Sequence, residues 1–119
     1  MKEIATKTYS IKFYGKTYKV YPVVEKYRNG RLAIELIDPK EGPFADLTVN
    51  LVNEQCPKDC AFLDTNNFRE GEEFVRKNRL GTFTGIYGYS GYCSYPLYRF
   101  DMDALTGKKK EKTGTPFGL

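Results

Sequence analysis

The sequence contains no histidine and no tryptophan, and only three of its 119 residues are cysteine. Without histidine the usual general base near neutral pH is missing, and no cysteine can borrow an imidazole to lower its pKa. There is also no serine in a nucleophile-elbow context and no glycine-rich loop ending in Lys-Ser or Lys-Thr. These gaps point away from an enzyme. Cys56-Pro57-Lys58-Asp59-Cys60 has a suggestive spacing, but a structural zinc needs four ligands and only Cys93 could join the pair. No metal and no cofactor is therefore expected, and the odd cysteine count fits reduced thiols. No apolar run approaches the length of a membrane helix, and Met1–Ser10 is not a charged-then-apolar leader. A cytoplasmic chain with no membrane partner is the expectation.

Charge is nearly balanced over most of the length. The formal net charge is +4, and the segment Lys108-Lys109-Lys110-Glu111-Lys112 holds four lysines against one glutamate. A near-neutral body argues against a DNA mimic, which needs a strongly negative surface. Residues 1–106 read as a single domain and 107–119 as a flexible basic tail, since the apolar pattern ends at Thr106. No internal repeat and no second domain is evident.

What the chain does have is aromatic residues, ten tyrosines and eight phenylalanines. Its first half alternates apolar and polar residues with a period of two, the mark of half-buried strands. Tyr9, Ile11 and Phe13 share one face of a first strand, and Tyr14-Gly15-Lys16 turns into a second with Tyr18, Val20, Pro22 and Val24. Asn29-Gly30 predicts a type I′ hairpin leading to a third strand with Leu32, Ile34 and Leu36. A fourth strand is expected to carry Ala45, Leu47, Val49 and Leu51 inward and Asp46, Thr48 and Asn50 outward. Asn67-Phe68-Arg69-Glu70 resembles a capping box opening a helix from about Phe68 to Leu80, with Gly81 ending it. Thr82–Tyr87 and Cys93–Phe100 form a closing hairpin. The expected fold is α+β, an antiparallel sheet of a four-stranded N-terminal meander plus a C-terminal hairpin, packed on one α-helix.

Three groups of residues can carry function. Asp46 and Asp64 can converge as a carboxylate pair, or lie on a solvated strand face and at a turn. Asp64-Thr65-Asn66-Asn67 can simply cap and turn before the helix, or hold an anion at its start. The run Gly85–Pro96 alternates glycine with Tyr87, Tyr89, Tyr92 and Tyr95, giving rings for base stacking or for a protein interface, or filling a core. Alternation predicts Tyr95 and Leu97 buried against Phe74 and Val75, with Tyr89 and Tyr92 open to solvent.

The ordered segments Phe13-Tyr14-Gly15-Lys16, Tyr18-Lys19-Val20, Ala45–Leu51, Asp64-Thr65-Asn66-Asn67 and Gly91–Tyr98 resemble a family of small proteins of unassigned function carried by phages, plasmids and integrative elements of Firmicutes and related gut bacteria. That resemblance implies no catalytic residues. It implies a setting in which small proteins inhibit host defence, in the manner of anti-CRISPR or anti-restriction proteins, or sequester defence nucleotides. The leading expectation is a non-enzymatic binding protein that blocks a host defence protein by protein–protein contact. The alternative is a nucleotide-binding sponge, stacking bases on the tyrosines and holding phosphate at Asn66 and Asn67. Direct binding of nucleic acid through the tail and Arg/Lys faces ranks third. The expected binding residues are Tyr87, Tyr89, Tyr92, Tyr95, Asp46, Asn50, Asp64, Asn66 and Asn67.

Overall fold

Period-two segments become strands because alternate side chains can then share one buried face. In the computed structural model, which describes residues 7–107, the first of them are β1 (Tyr9–Phe13), β2 (Lys16–Lys26), β3 (Leu32–Asp38) and β4 (Gly42–Asp46). They form an antiparallel meander in chain order. The type I′ geometry falls at Tyr14-Gly15, which join the paired residues Phe13 and Lys16 with φ of 50° and 80°. At Asn29-Gly30 only the glycine has positive φ. There the Tyr27 carbonyl accepts from Gly30 N–H at 2.8 Å while Tyr27 N–H donates to Arg31 at 2.9 Å. The result is a three-residue loop with Gly30 in a bulge, not the expected type I′ turn.

The fourth strand also departs from expectation, being cut at Leu47. Leu47 N–H donates to Ile34 of β3, while its carbonyl accepts from Asp64 N–H at 3.0 Å. One residue thus joins two sheets, with its side chain fully buried between them. The second sheet contains β5 (Thr48–Val49), β6 (Cys60–Leu63), β7 (Gly81–Ser90) and β8 (Cys93–Phe100), in the order β5-β6-β8-β7. The closing hairpin belongs to this second sheet and does not extend the meander. Thr48, expected to face outward, is buried.

The helix α1 (Gly71–Lys77) is shorter than predicted. Glu70 is the N-cap residue and makes no side-chain cap hydrogen bond. Asn67 supplies no capping box because it lies three residues before the N-cap, and its side-chain NH2 donates instead to the Asp64 carboxylate at 3.1 and 3.3 Å. Beyond α1, Arg79 takes the left-handed conformation (φ 57°) and Leu80 N–H returns to the Val75 carbonyl. Gly81 serves a different need from helix termination, since a Cβ there would lie 2.9 Å from the Arg99 carbonyl oxygen. A second short helix, α2 (Met102–Thr106), is capped by Asp101, whose carboxylate accepts from Ala104 N–H at 3.1 Å. The expected single helix is therefore two among the described residues. The molecule is α+β, mostly antiparallel sheet.

The main core lies where the two sheets and α1 meet. Val20, Ile34 and Leu36 come from the meander, Leu63, Tyr98 and Phe100 from the second sheet, and Phe74 and Val75 from α1. A smaller cluster of Leu51, Cys60, Phe62, Tyr95 and Leu97 covers the other face of the second sheet, as the alternation of β6 and β8 requires. Tyr95 and Leu97 are buried there and not against Phe74 and Val75; Tyr98 and Phe100 take the helix side. Apart from Gly107, the basic tail expected at 107–119 lies outside the described residues. No helix among them is long and apolar enough to cross a membrane.

Candidate functional site

The tyrosine-bearing hairpin is shaped by two irregularities. Phe83 pairs with Tyr98 and Tyr87 with Pro96, so Thr84, Gly85 and Ile86 all stand opposite Leu97. Thr84 satisfies the displaced backbone by donating its hydroxyl to the Leu97 carbonyl at 2.9 Å and accepting from Ile86 N–H at 3.2 Å. Gly85, at φ 89°, makes the bend, and Ile86 is thrust into solvent. Further along, Gly88 pairs with Tyr95 and lies so close to the smaller cluster that a Cβ would come within 2.6 Å of the Phe62 ring. At the tip Gly91 (φ 61°) occupies the position that a type II′ turn gives to glycine.

The loop before β6 braces the hairpin from outside. Glu54 accepts from Tyr89 N–H at 2.9 Å through its carboxylate. Arg31 in turn donates to the carbonyls of Leu51 and Glu54 at 2.7 and 2.6 Å. Three of the four candidate tyrosines remain open on this braced support: Tyr87 is 46% exposed, Tyr89 63%, and Tyr92 fully. Tyr95 is 8% exposed and serves the core. Tyr87 meets Phe83 edge-on at 5.3 Å, and Phe83 lies 5.6 Å from Tyr98. The Tyr98 hydroxyl donates to Glu72 at 2.7 Å. Burial first, then that carboxylate, hold its pKa well above the usual tyrosine value.

Of the remaining candidates, Asp46 and Asp64 come together at Tyr27. Its phenol meets the Thr48 hydroxyl at 2.9 Å. Burial raises its pKa, the Thr48 bond lowers it, and the carboxylates of Asp46 and Asp64 raise it further. These two acids therefore flank one phenol from the ends of β4 and β6. Asn50 accepts from the Asn29 side chain at 3.3 Å, which places it beside the β2–β3 turn. Among the described residues no three His, Cys, Asp or Glu side chains form a metal-ligand group. Asn66 and Asn67 are exposed, but α1 starts only at Gly71. The N–H groups of Asn67 and Phe68 are already accepted by the Asp64 carbonyl at 3.2 and 2.8 Å, so an anion finds no free donors from them. Cys56 donates to the Cys60 carbonyl at 3.2 Å, and burial pushes both thiols up, which makes them poor nucleophiles.

Reasoning from sequence missed two features. One is the Glu54 brace, separated from Tyr89 by 35 positions. The other is a groove of about 660 Å³ lined by Arg76, Arg79, Thr82, Phe83 and Arg99 among others. Arg76 and Arg79 read as ordinary compensation of a helix dipole, and nothing local ties them to Arg99.

Residues 22–115 match the family model described as Domain of unknown function (DUF4313). No curated protein matches the chain, and no solved structure matches it.

Proposed function

The chain belongs to the DUF4313 family, and from that premise we propose that it is a non-enzymatic binding protein whose contact surface is the tyrosine-rich end of the β7–β8 hairpin. The carrying observation is that Tyr87, Tyr89 and Tyr92 are exposed on a hairpin pinned by Gly88 against Phe62 and by Glu54 on Tyr89 N–H. A backbone already held in place loses little conformational freedom on binding, so more of the burial of the rings it carries appears as affinity. Tyrosine is also a residue type that dominates interface hot spots.

The partner class follows from the resemblance to proteins of mobile elements: a host defence protein, inhibited by direct contact in the anti-CRISPR or anti-restriction manner. Purified defence nucleases and effectors, immobilised as a panel, test this reading. The wild-type protein should be retained by at least one, and the Tyr89→Ala/Tyr92→Ala variant should be lost from it while keeping its melting temperature. Folded wild type that no member retains, or a double variant retained as well as wild type, would falsify the assignment.

A further inference from the structure

A strand at the margin of a sheet carries backbone groups that its own sheet cannot pair, and folded proteins guard such edges with lysine, proline or shortness. The edges of the two sheets are β1, β4, β5 and β7. Lys12 lies in β1 and Pro43 in β4, and β5 is only two residues long. β7 runs for ten residues, Gly81–Ser90, with no charged residue and no proline.

The register decides which backbone groups of β7 are free. Ser90 and Cys93 close the two-residue loop as a hydrogen-bonded pair, so Gly88 and Tyr95 form the next such pair. Tyr87 and Tyr89 therefore turn their N–H and C=O groups away from β8. Pro96, opposite Tyr87, has no N–H to offer it in any case. The Tyr89 N–H is met from outside by the Glu54 carboxylate at 2.9 Å, which stands where the carbonyl of an added strand would lie.

Two outward residues flanking Gly88 make this edge complementary to itself. When two β7 strands pair antiparallel about a two-fold axis at Gly88, Tyr87 of one copy stands opposite Tyr89 of the other. Each such pair exchanges two hydrogen bonds, and the Tyr87 carbonyl replaces Glu54 on the Tyr89 N–H of the other copy. Both tyrosines project from one face, so the opposed rings meet as aromatic cross-strand pairs. The same register sets Ser90 opposite Ile86 and brings the Tyr92 tip up to the bulge of the other copy. Of the six large apolar side chains left exposed among the described residues, Ile86, Tyr87, Tyr89 and Tyr92 all lie on this hairpin. At roughly 200 Å² for a whole tyrosine, their exposed parts come to about 500 Å² on each copy. Two copies thus reach about 1,000 Å², the size at which specific interfaces begin.

We propose that the chain forms a two-fold dimer by antiparallel pairing of its β7 edges, joining the second sheets of two copies into one continuous sheet. The inference goes beyond the hairpin reading above, because it needs no foreign protein, and a foreign protein would compete with the second copy for the same rings.

The test uses the full chain alone. Sedimentation velocity from ~10 µM to ~1 mM, the range of weak complexes, should show a monomer–dimer equilibrium. In a mixture of labelled and unlabelled protein, isotope-filtered NOEs should join the Gly88 α-protons of the two copies, whose backbones come closest at the axis. Tyr87→Lys/Tyr89→Lys sets like charges opposite each other and should weaken association by about tenfold or more. Tyr87→Lys/Tyr89→Glu sets lysine opposite glutamate and should recover much of that loss. Amide spectra unchanged outside the hairpin show that both variants are folded. A chain that stays monomeric throughout overturns the proposal and leaves the edge to a strand of another protein. It is equally overturned by a dimer without the Gly88 contact, or by a Lys/Glu variant that associates no better than the Lys/Lys variant. Neither failure touches capture by defence proteins, which the separate panel reads.

Discussion

The backbone N–H of Ile34 donates to the side-chain hydroxyl of Thr48 at 3.1 Å, and the same hydroxyl meets the Tyr27 phenol at 2.9 Å. A threonine side chain thus stands where a strand would otherwise supply a carbonyl, at the step where the chain leaves the first sheet for the second. Thr48→Val preserves shape and β-branching but strands the Ile34 N–H in the core. It should cost about 1–3 kcal/mol, the penalty for an unsatisfied buried donor. Urea denaturation measures this, and Thr48→Ser should retain most of the stability. A valine variant as stable as wild type would mean that this junction does not hold the sheets together.

Gly88 and Gly85 are both glycine, for different reasons that substitution separates. A Cβ at Gly88 would lie 2.6 Å from the Phe62 ring, whereas nothing lies within 4 Å of one at Gly85. Gly88→Ala should therefore cost about 1–3 kcal/mol by overpacking and be partly rescued by Phe62→Leu. Gly85→Ala should cost about 1–2 kcal/mol from its φ of 89° alone, with no rescue. Rescue of both, or of neither, would contradict the packing described for the hairpin.

Tyr89 and Tyr92 are the residues whose loss should spare the fold. Each change to alanine should stay within about 0.5 kcal/mol of wild type in stability. Binding to a protein partner should weaken by more than about 2 kcal/mol if these rings are hot spots. Tyr95→Ala should behave in the opposite way, lowering the melting temperature first, because its ring fills the smaller cluster. Thermal melts and titration calorimetry on the same variants provide both readings.

High pH should loosen the protein through Tyr98. Its pKa is raised in the folded state by burial and by Glu72, so the folded form keeps a proton that the unfolded chain releases above about pH 10. The stability this provides is complete below that value. It is lost progressively as the pH climbs from there toward the folded pKa. Tyr9, Tyr27 and Tyr95 are raised mainly by burial and act in the same direction. Denaturation curves between neutral pH and pH about 11 should show the decline, and Tyr98→Phe should make it shallower. An unchanged slope in that variant would remove Tyr98 from the account.

Some of the candidate surface was readable because its signals are local. Glycine alternating with tyrosine marks a hairpin whose tip must be open, since one strand face cannot bury so many rings. The Asp64–Asn67 stretch misled for an equally local reason. Asp and Asn side chains favour caps, but here those of Asp64 and Asn67 bond to each other while the Asp64 backbone carbonyl takes the turn amides, leaving α1 to begin later without them.

The sequence by itself determined the first three strands of the meander, the existence of the hairpin and a core built from aromatic and branched side chains, because period-two burial is a property of neighbouring residues. Tertiary structure decided which sheet each strand joined. Leu47 and Thr48 continue the same alternation that precedes them, and only the competing backbone partners, Ile34 on one side and Asp64 on the other, divide the strand between two sheets. It also decided that Tyr95 would be core and Tyr89 surface. β8 lies between two neighbours and is covered on both faces, whereas the end of β7 runs along an edge. The groove that Arg76, Arg79 and Arg99 help to line belongs to the same class, since only the packing of the helix end against the paired strands brings those segments to one corner.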